Sequence, residues 1–223
     1  MPRFTRLEVL NKVMEAHVVP LYYNKDIEIC RNVLKACYDG GLKVFEFTNR
    51  GDNAQEIFNE LNKIAAKEMP DLIMGIGSVI EPSTAAMYIQ MGAAFIVSPI
   101  LNEDMAKICN RRKVAWMPGC MTVSEISKAE ELGAEFVKIF PANLGGPKFI
   151  KAVKGPMPWA NIMTTGGVTP DPENIKTWFD AGASCVGMGS QLITKQIVTD
   201  KDWTKLKNIA EGVVQTVNNY FSK

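Results

Sequence analysis

Short runs of apolar residues recur along the chain with little alternation between apolar and polar positions. Such runs are typical of strands whose two faces are both buried, as in a parallel sheet covered by helices. The pattern predicts eight strands, with room between consecutive strands for one helix and two short loops. The predicted strands are His17–Tyr23, Lys43–Asn49, Leu72–Ser78, Phe95–Pro99, Val114–Gly119, Phe136–Ala142, Asn161–Gly167 and Ser184–Ser190.

The intervals between these strands carry helix signals. Amphipathic stretches there end at a glycine or shortly before a proline, as helix C-termini commonly do. One further amphipathic stretch precedes the first strand and another follows the last. The predicted helices are Arg6–Ala16, Ile27–Tyr38, Asn53–Lys67, Glu81–Met91, Ser124–Leu132, Asp171–Ala181 and Trp203–Phe221.

Eight strand–helix units in one chain favour a (β/α)8 TIM barrel of the α/β class, and a doubly wound sheet with fewer strands is the alternative. Arg6–Ala16 would be an N-terminal helix that caps the bottom of the barrel, with Trp203–Phe221 as the last outer helix. The chain contains no linker, low-complexity segment or run of like charges. Residues 1–223 are therefore expected to form a single domain.

The composition narrows the classes of partner. Of 223 residues, 47% are hydrophobic and 22% are charged, an ordinary globular balance. The formal net charge is +1, so binding to nucleic acid or to an anionic membrane is not expected. The longest apolar stretches are strand-sized and too short to span a membrane. The first residues lack the apolar core of a signal peptide.

Cysteine and histidine usage narrows the chemistry. The five cysteines are scattered, odd in number and lack a CxxC pair, which argues against a disulfide framework and against a zinc site. This usage is typical of a reducing compartment, so we expect a cytoplasmic protein. His17 is the only histidine, so a His-clustered metal site is excluded and a Ser-His-Asp triad nearly so. We expect His17 to be structural.

Two predicted strands carry a charged residue where the pattern requires an apolar one. Glu46 lies within Val44–Thr48, and Lys138 lies within Phe136–Pro141. A charge flanked by apolar residues on a buried strand is costly unless it is paired or its pKa is shifted. One interpretation is structural, an ion pair or an outward-facing charge at a strand edge. The other is catalytic: a desolvated amine forms a Schiff base with a ketone while the carboxylate moves protons, as in a metal-free class I aldolase.

Polar residues and glycines gather at the predicted C-terminal ends of strands, where barrel enzymes bind their ligands. Arg50, after strand two, suits bidentate binding of a carboxylate, unless it forms a surface salt bridge instead. Ser78, after strand three, would add a hydroxyl donor or merely form a turn. Glycines after strands seven and eight let backbone N–H groups approach an anion, which predicts a phosphate site at Thr164–Val168 and Gly187–Ser190.

These residues stand in segments through which the chain resembles the family of 2-keto-3-deoxy-6-phosphogluconate (KDPG) and 4-hydroxy-2-oxoglutarate (KHG) aldolases. The resemblance covers nearly the whole length. Its most specific part combines Glu-x-Thr on strand two with Lys-x-Phe-Pro-Ala on strand six. The matching segments are Val18–Pro20, Gly40–Thr48, Gly75–Val79, Ser98–Pro99, Pro118–Gly119, Thr122–Glu125, Phe136–Ala142 and Thr165–Val168.

The resemblance implies a role for each candidate residue. Lys138 would be the Schiff-base lysine and Glu46 the acid and base, with no metal and no cofactor beyond the covalent imine. Members of the family are commonly homotrimers, so a homotrimer is expected. The substrate-binding residues would be Arg50 and Ser78 at the pyruvyl carboxylate, Pro99 and Phe140 along the pocket, and Thr165, Gly166, Gly167, Gly189 and Ser190 at the distal, phosphate-bearing end.

The chain departs from the family pattern around the expected mouth of the site. Ser78 stands where the family commonly has Thr, and residues 49–51 read Asn-Arg-Gly where it often has Leu-Arg-Thr. Tyr22 and Tyr23 stand where many relatives carry smaller residues or an arginine. These changes leave the expected chemistry intact but put the exact substrate in doubt.

The expected reaction is reversible cleavage of KDPG to pyruvate and glyceraldehyde 3-phosphate. Cleavage of KHG to pyruvate and glyoxylate is the adjacent activity, and the 6-phosphogalactonate epimer of KDPG is an alternative substrate. Two further functions stay open. A phosphate-binding barrel isomerase or synthase would not need the amine on strand six, and a regulator would bind sugar acids without turnover.

Overall fold

All eight predicted strands are present in the computed structural model, which describes residues 2–222. They run parallel in a nearly closed barrel with helices between them, which confirms the predicted (β/α)8 fold. The strand segments are β1 (Val18–Tyr22), β2 (Val44–Thr48), β3 (Ile73–Gly77), β4 (Phe95–Val97), β5 (Ala115–Met117), β6 (Gly119–Cys120), β7 (Val137–Ile139), β8 (Ile162–Thr165) and β9 (Cys185–Met188).

The barrel has nine strand segments because the fifth predicted strand is interrupted at Pro118. Proline has no N–H to donate to a neighbouring strand. β5 pairs with β4 and β6 pairs with β7, so the interruption lies where the circle of strands closes. The Pro118 carbonyl accepts a hydrogen bond from the Lys138 N–H at 2.8 Å, which holds the interrupted strand against β7.

Helices alternate with the strands. They are α1 (Arg6–Ala16), α2 (Ile27–Asp39), α3 (Ala54–Glu68), α4 (Pro82–Gln90), α5 (Glu103–Arg112), α6 (Val123–Glu131), α7 (Ala142–Lys154), α8 (Pro172–Asp180), α9 (Lys195–Asp200) and α10 (Trp203–Phe221). Of these, α5, α7 and α9 are additional to the predicted set. At the start of α1, the Thr5 side chain accepts from the Glu8 N–H while the Glu8 carboxylate accepts from the Thr5 N–H, a capping box. Across residues 2–222, none of the helices combines the length and the apolar character that crossing a membrane requires.

The interior of the barrel is apolar near the N-terminal ends of its strands. Val9, Leu10 and Val13 of α1 are buried there and pack with side chains from the surrounding strands. α1 therefore caps the bottom of the barrel, as predicted. The members of this cluster on the strands are Val19, Val44, Ile73, Phe95, Val97, Ala115, Met117, Met163 and Cys185, and Phe136 joins them from the position just before β7.

The register of the strands places polar residues directly above this apolar layer. Side chains alternate between the two faces of a strand, so a residue two positions beyond an interior one also faces the interior. On β2, Val44 belongs to the apolar layer and Glu46 lies two residues further on. Lys138 of β7 follows Phe136, which directly precedes that strand, at the same spacing. The barrel interior thus changes from apolar to charged within one step along the strands.

Candidate active site

Lys138 and Glu46 lie next to each other inside the barrel. The Lys138 Nζ is 3.8 Å from the Glu46 Oε1, and the two side chains are 4% and 1% exposed. Neither oxygen of the Glu46 carboxylate has a hydrogen-bond partner. A buried acceptor without a partner lowers stability, and such groups are commonly retained for a catalytic purpose. The geometry excludes an outward-facing charge at a strand edge for either residue.

A glycine on the neighbouring strand makes room for the Glu46 carboxylate. Gly77 lies on β3, which pairs with β2, and a Cβ atom at Gly77 would lie 1.7 Å from the Glu46 Oε1. Two residues earlier, the Phe95 ring fills the space that a side chain at Gly75 would need. The role of Gly77 was not predicted from the sequence. The available signal was the pair of glycines, Gly75 and Gly77, on the strand beside the buried glutamate.

A cleft of about 630 Å³ opens at the C-terminal ends of the strands. Phe140 lines it, and the Phe140 ring centroid is 5.1 Å from the Lys138 Nζ, so the amine lies close beneath the floor of the cleft. Four of the predicted site residues do not line the cleft: Glu46, Ser78, Pro99 and Lys138. The predicted site residues that do line it are Arg50, Phe140, Thr165, Gly166, Gly167, Gly189 and Ser190.

Arg50 and Ser78 lie together at the edge of the cleft. The Arg50 Nε donates a hydrogen bond to the Ser78 Oγ at 3.1 Å. Within residues 2–222, Arg50 has no carboxylate partner, so the salt bridge considered for it is not formed. The remaining N–H groups of its guanidinium are available to a ligand. Pro99 lies elsewhere, with its carbonyl oxygen against Gly119, where a Cβ would approach it to 2.2 Å.

The segment after β8 has the backbone geometry of an anion site. Gly166 and Gly167 have φ of 108° and 79°, a region that L-residues with side chains rarely adopt. Within the described residues, the N–H groups of Gly166, Gly167 and Ser190 donate no hydrogen bond. The Thr165 Oγ1 is also buried without a partner. Three backbone donors and one hydroxyl are therefore free at this side of the cleft.

Tyr22 and Tyr23, which depart from the family pattern, line the cleft as well. Tyr23 occupies the space beside Gly51, because a Cβ at Gly51 would lie 1.9 Å from the Tyr23 Oη. A threonine at position 51 needs the volume that the Tyr23 hydroxyl fills. The two departures therefore form one structural unit.

Lys195 and Gln191, which sequence analysis did not select, also line the cleft. Both lie in the segment that follows β9 and the glycine-rich stretch ending at Ser190. That stretch was the available signal, because the loops after the last two strands of a barrel often bind phosphate.

The histidine and the five cysteines lie outside the cleft. The His17 Nδ1 is 2.7 Å from the Ser184 carbonyl oxygen, and its ring stacks on Phe221 with centroids 3.6 Å apart, consistent with a structural role. All five cysteines are free and buried, and burial raises the pKa of Cys37 to about 12. Nowhere in residues 2–222 do three or more His, Cys, Asp or Glu side chains form a group that could hold a metal ion.

The barrel fold and the amine–carboxylate pair beneath its mouth match one class of protein, the carbon–carbon lyases of the aldolase type. Comparison with known proteins identifies the family: residues 9–209 match the family described as KDPG and KHG aldolase, and the chain belongs to it. The resemblance inferred from the sequence motifs is thereby confirmed.

Individual relatives agree with this assignment. The chain is 33% identical over 199 residues to the 2-dehydro-3-deoxy-phosphogluconate aldolase of Pseudoalteromonas atlantica, covering 88% of this chain and 89% of the relative. It is 31% identical over 200 residues to the KHG/KDPG aldolase of Escherichia coli, covering 89% and 91%. It is also similar to a crystal structure of KDPG aldolase from Legionella pneumophila with pyruvate captured as a covalent carbinolamine. That similarity has a TM-score of 0.81 at 26% identity and covers 91% of this chain and 97% of the other.

Proposed function

We propose that the protein reversibly cleaves KDPG to pyruvate and glyceraldehyde 3-phosphate, with Lys138 as the imine-forming residue. The observation that carries this proposal is the buried Lys138–Glu46 pair, with 3.8 Å between amine and carboxylate, beneath an open cleft. The activities named for the family and for its relatives in P. atlantica and E. coli support it. No metal and no further cofactor are needed, because the imine itself acts as the electron sink.

The reaction proceeds through addition, cleavage and hydrolysis. The amine of Lys138 adds to the C2 carbonyl of KDPG, and the carbinolamine loses water to give a protonated imine. The imine draws electrons from the C3–C4 bond while Glu46 takes the proton of the C4 hydroxyl, so the bond breaks and glyceraldehyde 3-phosphate leaves. Glu46 then returns that proton to C3 of the enamine. Water hydrolyses the resulting imine, which releases pyruvate and regenerates the lysine.

The two ends of the substrate bind on different elements. The Arg50 guanidinium binds the C1 carboxylate, and Ser78 supports it through the hydrogen bond to the Arg50 Nε. Phe140, which lines the cleft, provides the apolar surroundings of the pyruvyl carbons. The phosphoryl group binds at the other end, on the segments that carry unpaired donors, namely Thr165, Gly166, Gly167, Gly189 and Ser190.

KHG is a second candidate substrate. The family description and the E. coli relative both name KHG beside KDPG. Its cleavage to pyruvate and glyoxylate uses the same Lys138, Glu46 and Arg50, because the two substrates share the 2-oxo acid end at which the bond breaks.

Borohydride reduction in the presence of pyruvate tests the covalent step. The imine, once reduced, becomes a stable amine, so intact-mass analysis should show one pyruvate-derived group, and peptide mapping should locate it on Lys138. Lys138→Met should take up no label, while Lys151→Met, which changes a surface lysine of α7, should label like the parent protein. Label on another residue, or no label at all, contradicts the proposal.

Removal of metal ions tests the absence of a metal requirement. Excess EDTA should leave the cleavage rate unchanged. A rate that EDTA lowers and added metal restores would indicate a metal-dependent aldolase instead.

The proposal extends to the assembly and the setting of the enzyme. We expect a homotrimer of chains that each form one domain over residues 1–223. Support comes from large exposed apolar side chains that follow the C-terminal ends of consecutive strands and that association would bury. Ile80 and Ile100 lie in loops, and Val123 and Leu144 lie at the starts of α6 and α7. Light scattering coupled to size-exclusion chromatography should give three times the mass of one chain.

The expected location is the cytoplasm. The five free, buried thiols suit its reducing conditions.

A further inference from the structure

The charges that line the cleft are all of one sign. Within residues 2–222, Arg50 and Lys195 are the only charged side chains on its lining, and neither an aspartate nor a glutamate lies there. In the described chain, the side chain of Lys195 makes no hydrogen bond and no ion pair, and the side chain of Arg50 bonds only to Ser78. Other exposed lysines without a partner among the described residues, such as Lys151 and Lys205, do not line the cleft. The cleft thus holds two cations without counter-ions.

The backbone that carries Lys195 is firmly held. The Thr194 side chain caps α9 by accepting a hydrogen bond from the Ile197 N–H at 3.3 Å. Leu192, Ile193 and Ile197, on either side of the lysine, are buried in the core outside the strands. Lys195 itself is exposed and lines the cleft. The anchored neighbours fix the position from which the ammonium reaches into the cleft.

We propose that Lys195 determines specificity by binding the distal phosphoryl group of the substrate. This inference rests on the proposed function, in which Arg50 takes the carboxylate at the near end. A phosphomonoester carries close to two negative charges at neutral pH, whereas the N–H groups of Gly166, Gly167 and Ser190 supply only partial positive charges. Lys195 follows Ser190 by five residues and supplies the full charge that these dipoles lack. The cleft is therefore selective for 2-oxo acids whose far end is a phosphomonoester.

The strength expected of this contact follows from its exposure. A hydrogen bond to an ionised partner is about twice as strong as a neutral one, but water and salt weaken an exposed pair. We expect Lys195→Gln to raise the KM for KDPG about tenfold at low salt. Lys195→Arg keeps the charge and should retain most of the affinity. The KM for 2-keto-3-deoxygluconate, which has the same carbon chain without the phosphate, should stay unchanged.

The test measures kcat and KM of both substrates for the parent enzyme, Lys195→Gln, Lys195→Arg and Lys205→Gln. Lys205 is a matched control, because it is an exposed lysine of α10 that does not line the cleft. Selective loss of affinity for KDPG in Lys195→Gln, reduced at high salt and absent in Lys205→Gln, supports the inference. An unchanged KM for KDPG, or equal losses for both substrates, overturns it.

The outcome for the proposed function is separate. A parent enzyme that traps pyruvate on Lys138 and cleaves KDPG retains the proposed function even if Lys195→Gln behaves like the parent. A parent enzyme that does neither contradicts the proposed function and this inference with it. Inorganic phosphate serves as an independent probe, since it should inhibit the parent enzyme competitively against KDPG and inhibit Lys195→Gln more weakly.

Discussion

The two ends of the barrel are built from the same strands and differ in what fills them. At the bottom, side chains of α1 and of the strand beginnings form a closed apolar cluster. One step along the strands, Glu46 and Lys138 replace apolar residues, and the cleft opens above them. Because strand positions alternate, two residues of chain separate a position that stabilises the fold from one that is suited to chemistry.

The two ends of the barrel also differ in how far their polar groups are hydrogen-bonded. Near the bottom, Arg6 donates to Asn110 and pairs with Glu135, at 2.7 and 2.8 Å, although its Nε has no partner. At the mouth, the Glu46 oxygens and the Thr165 hydroxyl are buried without hydrogen-bond partners. Pairing stabilises a fold, whereas unpaired groups are available to a ligand. Stability and activity therefore depend on different residues, and substitutions should separate the two.

The largest expected effect is at the mouth. Glu46→Gln keeps the shape of the side chain but cannot accept and return a proton, so kcat for KDPG cleavage should fall by about 10²–10⁴-fold. Binding of pyruvate should change little, because the proposed function assigns the carboxylate to Arg50. Steady-state assays of pyruvate release measure the first quantity, and titration with pyruvate measures the second. A kcat close to that of the parent enzyme would mean that the Lys138–Glu46 pair is structural.

A change at the bottom should act on stability alone. Val13→Ala removes buried methyl groups from the cap and should lower the free energy of unfolding by about 1–3 kcal/mol. Leu7→Ala, on the same helix but 71% exposed, should change it by less than about 0.5 kcal/mol. Denaturant unfolding measures both. Each folded variant should keep the parent kcat and KM. A loss of activity in Val13→Ala, at a temperature where this variant is folded, would contradict the conclusion that stability and activity depend on different residues.

The smallest expected effect concerns pH. Burial disfavours the charged imidazole and lowers the pKa of His17, against a smaller raising effect of the hydrogen bond to Ser184. The unfolded chain therefore binds a proton at a higher pH than the folded chain, and stability declines as the pH falls below about 6.5. Asparagine cannot titrate there and tolerates the left-handed backbone of residue 17, whose φ is 54°.

Melting curves at pH 7.5 and pH 5.5 compare the parent protein with His17→Asn. The parent should lose more thermal stability between the two pH values than the variant does. Equal pH dependence of the two proteins would show that His17 does not titrate in this range. The KM for KDPG should be the same in both proteins at either pH, because His17 lies at the opposite end of the barrel from the cleft.

Much of the fold was predictable, because strands buried on both faces appear as uninterrupted apolar runs. The strand ends were less so. Phe136–Ala142 reads as one strand, but only Val137–Ile139 forms β7, since Pro141 has no N–H for a ladder and α7 begins at Ala142. α7 itself was not predicted because Gly145-Gly146-Pro147 reads as a helix break. In the structure, α7 consists of two helical pieces joined at a kink at Gly146, whose φ of 62° and ψ of −172° are not helical.

The candidate site was predictable where its residues violate a local pattern. Glu46 and Lys138 stand out because a charge on a buried strand is rare, and the geometry then brings them together. Lys195 violates nothing, since an exposed lysine at the start of a helix is common. Only the curvature of the barrel, which no local pattern encodes, puts Lys195 on the same cleft as Arg50. The same curvature leaves Pro99 off the lining.

The lack of space for a side chain at Gly77, beside Glu46, limits which substitutions this site can accept, in evolution or in the laboratory. A Cβ at position 77 would coincide with the Glu46 Oε1, at 1.7 Å, so the two positions cannot be varied independently. A mutant library that randomises residue 77 alone will return glycine among its active members. Only a shorter side chain at position 46 vacates the space, and that exchange moves the carboxylate away from Lys138. The order of substitutions is thereby constrained: residue 46 must change before residue 77 can.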